Sequence, residues 1–251
     1  MKEKYNYIEK GSGPTIILLH GLMGAVSNFE TTLNSLPNHG FRVILPMLPL
    51  YSMPLLKTNV KQLSKFINKF TEDLNIKKYS ILGNSLGGHI GLILALQFPQ
   101  KIDNLILSGS SGLYENTLGG KFPKRGNYEY IKQKTEEVFF DPSKASKQLV
   151  DEVFEIVNNK EKVIRVLMMA KSAIRHNMKD ELPKITQKTC IIWGENDKVT
   201  PPEVGKEFHQ EIQNSDLFWI KKCGHAPMIE QPEIFNQILV NWLNDKKNVN
   251  K

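Results

Sequence analysis

Short, almost unbroken apolar runs alternate along this chain with longer stretches of helical periodicity, and that order leaves few architectures open. The runs are "TIILLH" (15–20), "FRVILPM" (41–47), "KYSILGN" (78–84), "IDNLILSG" (102–109), "KTCIIWG" (188–194) and "SDLFWIKKCG" (215–224). Strands apolar on both faces belong to a parallel sheet covered by helices on both sides. Between them, "SNFETTLNSL", "VKQLSKFINKFTEDL", "LGGHIGLILALQF", "PEVGKEFHQEI" and "PEIFNQILVNWLND" repeat apolar residues every three or four positions. The pattern predicts a doubly wound α/β fold. It breaks once, where "NYEYIKQKTEEVFF", "KASKQLVDEVFEIVNN" and "KEKVIRVLMMAKSAIRH" read as consecutive helices, with "DPS" and "NNK" as breaks and caps. A core of residues 1–112 and 186–251, with residues 113–185 inserted between two neighbouring strands, is the expected organisation. At 251 residues and 40% hydrophobic content, the chain is long enough for one substantial core.

Composition narrows the partners. The opening "MKEKYNYIEK" is polar, and no stretch approaches the roughly 18 apolar residues of a membrane helix. A soluble protein without a membrane partner is expected. Cys190 and Cys223 fall in a predicted strand and a strand end and read as reduced, packed thiols, which favours a cytoplasmic location. The net charge is +7, but only Arg42, Arg125, Arg165 and Arg175 are arginines among 33 basic residues. Arginine is the side chain that forks onto phosphates and guanine edges, so a solvated lysine surface is expected rather than a nucleic-acid site. No His/Cys ligand cluster and no Walker motif occur, so neither a metal nor a nucleotide cofactor is expected. Oligomeric state is left open.

The chemistry concentrates at "SILGNSLGGHIG" (80–91), where Gly83-Asn84-Ser85-Leu86-Gly87 fits Gly-x-Ser-x-Gly between a strand and a helix. A sharp strand-to-helix turn strains the serine backbone and crowds its neighbours, which calls for Gly83 and Gly87, with Gly88 for close helix packing. Ser85 would then project over the helix N-terminus as a nucleophile. A serine needs a base, and the base an orienting acid. Asp197 follows the run "KTCIIWG" and His225 follows "SDLFWIKKCG", both beyond strand carboxyl ends, where such sheets build their sites. Read singly, Asp197 also suits an Asx turn before Pro201, and His225 a turn histidine. An oxyanion hole is expected from the backbone N–H groups of Leu86 and of Leu22, with Met23 as reserve. His20 is expected to brace that loop by hydrogen bonds.

Taken together, "LLHGLMG", "GNSLGG", "WGENDKVTPP" and "GHAPMIEQP" resemble the motifs of the α/β-hydrolase fold family. The resemblance covers the whole chain apart from the insertion. It implies an active-site Ser85, a base His225, an acid Asp197 and a helical lid over 113–185. Haloalkane dehalogenases and epoxide hydrolases of this fold carry an aspartate where Ser85 stands, so acyl transfer to water on a small-molecule substrate is expected instead. Hydrolysis of a small or medium carboxylic ester is the leading expectation. Gly-Asn-Ser is also similar to the elbow of the meta-cleavage-product hydrolases, which cut carbon–carbon bonds. That family typically has a tryptophan after its histidine and an arginine in its pocket. Here Ala226 follows His225, and Arg165 or Arg175 would have to play the arginine's part. Amide, thioester or lactone hydrolysis, acyl transfer, perhydrolysis and a non-catalytic receptor role remain further alternatives. Pocket residues are expected among Met23, Asn84, Phe139, Met168, Met169 and Arg165, with Tyr114, Phe122, Tyr128 and Phe140 as further lid aromatics. The basic "KFPKRG" (121–126) is a candidate for steering an anionic substrate.

Overall fold

The computed structural model describes residues 5–24, 26–114 and 124–245; Phe122, with Lys121 and Pro123 of "KFPKRG", lies outside them. Among these residues, β1 (Tyr7–Lys10), β2 (Thr15–Leu19), β3 (Arg42–Pro46), β4 (Tyr79–Asn84), β5 (Ile102–Ser108), β6 (Lys188–Gly194) and β7 (Ser215–Ile220) form one sheet. Its order is β1-β3-β2-β4-β5-β6-β7. From β3 to β7 every pairing is parallel, and only β1 runs antiparallel, on β3. The six apolar runs became six parallel strands. β1 was not anticipated, because "YIEK" is half-buried at two positions and exposed at two. A polar edge strand forms because β3 offers it free backbone groups, and no apolar run announces it.

The helices are α1 (Glu30–Ser35), α2 (Val60–Asp73), α3 (Leu86–Gln97), α4 (Tyr128–Glu136), α5 (Lys147–Asn158), α6 (Lys160–Arg175), α7 (Pro202–Glu211), α8 (Pro227–Glu230) and α9 (Pro232–Asp245). In α2, Leu63, Ile67 and Phe70 fall on one face and are fully buried, while the Asn59 side chain caps the helix by accepting from Gln62 N at 3.0 Å. α3 has no polar face: every residue from Leu86 to Ala95 is buried. It lies against β4, itself buried along its whole length, so the centre of the core carries the Ser85 turn. Cys190 and Cys223 are buried and not joined in a disulfide.

The helices α4 to α6 stand between β5 and β6, where the alternation breaks. Asn127, Ser146 and Asn159 each cap one of them through the side-chain oxygen. α4 ends at Glu136, short of the predicted Phe140, because the following residues turn onto the loop after β7: Val138 O accepts from His225 N at 2.9 Å. The other end of the insertion is tied to the core at its root. Met178 N donates to Gly112 O at 2.8 Å, and Asn177 Nδ2 to Leu113 O at 2.7 Å. There the His89 ring of α3 meets His176, with Nε2 2.9 Å from Nδ1 and the rings stacked. No helix among the described residues is long and apolar enough to cross a membrane.

Burial, reinforced by the neighbouring His176, pushes the His89 pKa down from 6.5 to about 3. The folded protein therefore declines a proton that the unfolded chain accepts below pH 6.5. Stability should fall as pH drops from 6.5 toward 3, at about 1.4 kcal/mol per pH unit from this group. Urea midpoints at pH 7 and pH 5 should show this loss, and His89→Gln should give a shallower dependence.

Candidate active site

Ser85 sits between β4 and α3 with φ 53° and ψ −118°, a backbone region that side-chain-bearing residues rarely adopt. Neighbouring backbone holds it there. Ser85 N donates to Ser108 O at 3.1 Å, while Ser85 O accepts from Ser111 N at 3.1 Å and His89 N at 3.2 Å. The flanking glycines are needed for space, as expected. A Cβ on Gly83 would fall on the Gly87–Gly88 peptide, and one on Gly87 on the Leu19 carbonyl. The loop after β2 runs beside the turn, and the Gly21 backbone stands next to Asn84 and the Ser85 side chain. Leu22 follows Gly21, and Leu86 opens α3, where a helix N–H has no acceptor inside the helix. His20 is buried, and Nδ1 donates to Gly21 O at 2.9 Å, which braces this loop. Burial holds its pKa below the usual histidine value.

Asp197 and His225 come together as the strand ends predict. His225 Nδ1 donates to Asp197 Oδ2 at 2.8 Å, and the Asp197 side chain is 0% exposed. The other oxygen, Oδ1, accepts from Val199 N at 2.8 Å and Thr200 N at 2.9 Å. Asp197 thus makes the Asx-type turn and meets the histidine at once, one oxygen for each. Thr200 adds a hydroxyl that donates to Oδ2 at 2.8 Å and lies 3.2 Å from His225 Nδ1. Thr200 was not among the expected site residues, although its place three residues after an aspartate in a loop is an Asx-turn signal. Asn84 ties the pair to the elbow: its Nδ2 donates to Ser108 O at 3.0 Å and to His225 O at 3.1 Å.

Ser85 and His225 both open on a cavity of about 540 Å³ between the sheet and the insertion. Leu22, Met23, Asn84 and Phe139 line it, as expected. Half of its wall is aliphatic, with Ile131 and Val138 on or after α4, Val153 and Ile156 on α5, and Val163 and Leu167 on α6, while Lys134, Glu137 and Lys198 add charge. Met168 and Met169 are not in the lining; Met169 is 1% exposed and packs into the core below α6. Arg165 is also elsewhere, since its Nε donates to Met53 O at 2.9 Å and its Nη1 to Glu161 O at 3.0 Å. Tyr114 and Phe140 are exposed, and Tyr128 packs edge-on against Phe154. Among the described residues no group of three or more His, Cys, Asp or Glu side chains is placed to hold a metal.

The strained turn gives a testable consequence. Replacing Ser85 by glycine relieves it, and by alanine does not. Ser85→Gly should be about 1 kcal/mol more stable than Ser85→Ala in urea denaturation.

Comparison with known proteins agrees with this fold. The family model of the alpha/beta hydrolase fold matches residues 14–136. The chain is 42% identical to MGS-MChE2, an α/β-hydrolase enzyme from the metagenome of sediments of the Mar Chica lagoon in Morocco. That alignment covers 98% of each chain with a TM-score of 0.81. It is 29% identical, over 91% of its length and 86% of the relative, to 2-hydroxy-6-oxononadienedioate/2-hydroxy-6-oxononatrienedioate hydrolase of Escherichia coli. An esterase from Exiguobacterium antarcticum shares the fold at 23% identity, covering 96% of this chain and 95% of that one, with a TM-score of 0.83. With its sheet order, its strained Ser85 turn and a relative matched along nearly its whole length, the chain belongs to the α/β-hydrolase fold family and is, at that level, a hydrolase.

Proposed function

We propose that the protein hydrolyses carboxylic esters with small or medium apolar acyl groups, using Ser85 as nucleophile, His225 as base and Asp197 as the orienting acid. The observation that supports this reading is the convergence of the Ser85 turn and the His225–Asp197 pair on the floor of an aliphatic cavity. Ser85 Oγ attacks the ester carbonyl while His225 takes its proton on Nε2, the nitrogen opposite the one bonded to Asp197. The Leu86 and Leu22 N–H groups receive the oxyanion, helped by the positive end of α3. The proton passes from His225 to the departing alcohol. Water, deprotonated by His225, then releases the carboxylic acid and restores Ser85. On this reading α4 to α6 are a lid whose aliphatic wall excludes water and sizes the acyl group.

Carbon–carbon hydrolysis of a dienone acid is the second reading, favoured by the activity named for the Escherichia coli relative. Two observations weigh against it. Ala226 stands after His225, where that family typically has tryptophan. And none of the four arginines lines the cavity, whose cationic side chains are Lys134 and Lys198. Arg42 pairs with Glu9, Arg125 donates to Asn158 O, Arg165 is held by Met53 O and Glu161 O, and Arg175 is exposed at the end of α6.

Hydrolysis of p-nitrophenyl esters from acetate to laurate should peak at a short or medium chain and vanish in Ser85→Ala. Asp197→Asn should lower kcat by a factor on the order of 10⁴. Turnover of a dienone acid without ester cleavage would select the second reading. Near-wild-type rates in Asp197→Asn would show that another group orients His225.

A further inference from the structure

One buried acid belongs to none of these steps. Glu230, in α8, is 2% exposed, and each carboxyl oxygen accepts a backbone N–H from a different part of the chain. Oε2 accepts from Gly224 N at 2.6 Å, the residue immediately before His225. Oε1 accepts from Asp141 N at 2.7 Å, in the insertion just beyond α4. Between these two bonds runs a third, from His225 N to Val138 O at 2.9 Å. The segments lie so close that a Cβ on Gly224 would fall on the Val138 carbonyl.

We propose that Glu230 is a positioning residue that clamps the end of α4 to the histidine loop, making residues 138–141 a fixed part of the catalytic machinery. The proposal rests on the reading of His225 as the base. The consequence is mechanical. Asp197 holds the His225 ring, Asn84 Nδ2 its carbonyl, and the clamp its N–H and the residue before it. Phe139 lies inside the clamped segment and lines the cavity, so the acyl-facing wall and the base share one support. If α4 to α6 act as a lid, residues 138–141 stay seated on the histidine loop and movement is left to α5 and α6. A carboxyl group suits the task because both oxygens accept. An amide at this position turns one of them into a donor that faces a backbone N–H, which breaks one bond of the two.

Glu230→Gln should lower kcat for p-nitrophenyl butyrate, and the rate of the pre-steady-state p-nitrophenol burst, by about 10- to 100-fold, the range that small misplacements of catalytic groups produce. KM should stay within about two-fold, because the bonds lost orient the base rather than hold substrate. Measurements well below the melting temperature separate this from a loss of folded protein. A variant with a lower melting temperature but an unchanged burst rate per folded molecule would overturn the proposal. Absence of any ester hydrolysis by the folded wild type would instead remove the serine-hydrolase reading itself. If Glu230→Gln does not fold, amide hydrogen exchange on the wild type decides. Asp141 N and Gly224 N should be protected together and open at the same rate. Free exchange at Asp141 beside a protected Gly224 would contradict the clamp.

Discussion

Everything at this site depends on a backbone conformation that a serine resists. Ser85 stands at φ 53°, and three backbone hydrogen bonds to β5, its exit loop and α3 keep it there. Such conformations cost about 1–3 kcal/mol and persist only where the surroundings enforce them. Here the enforcement comes from the most buried part of the molecule, β4 and α3, which have no exposed face through which the turn could relax. Gly83 and Gly87 let strand and helix meet at the angle the turn needs. In return the serine side chain stands at the carboxyl edge of the sheet, at the N-terminus of a helix and beside the loop after β2.

The rest of the site is assembled by parallel strands that deliver their loops to that same edge. β6 ends at Gly194 and supplies Asp197; β7 ends at Ile220 and supplies His225. Backbone bonds draw the two loops together, Glu195 N to Ile220 O at 3.0 Å and Asn196 N to Cys223 O at 2.9 Å. The insertion then closes the space above. Its helices turn aliphatic side chains toward Ser85 and His225, and its first helix ends on the histidine loop. An apolar roof over a polar floor is the arrangement in which fixed N–H groups act most strongly on a developing charge.

The parallel strands, the helical stretch between β5 and β6, and the places of Ser85, Asp197 and His225 beyond strand ends are legible in the sequence because each is tied to a local rule. Apolar runs stopped by glycine mark the strands, the glycine spacing marks the turn, and strand ends mark the loops. What was not legible depends on which way a surface faces after packing. Two adjacent methionines on α6 cannot share a face, and tertiary packing sent Met169 into the core while Val163 and Leu167 took the cavity wall. Arg165 looked available for a substrate until the loop before α2 offered it the Met53 carbonyl. β1 is too polar to announce itself. Glu230 reads as an ordinary polar residue near the start of the last helix, since nothing local says that two distant N–H groups will converge on it.

The proposed chemistry requires Ser85 to be a nucleophile activated by His225. Reaction with a fluorophosphonate, which bonds covalently only to activated hydroxyls, tests this without knowledge of the substrate. Intact-protein mass spectrometry should show one phosphonyl adduct per chain, mapped by digestion to the peptide containing Ser85. The adduct should be absent in Ser85→Ala and formed far more slowly in His225→Ala. Adducts elsewhere, or none on a folded wild-type protein, would contradict it.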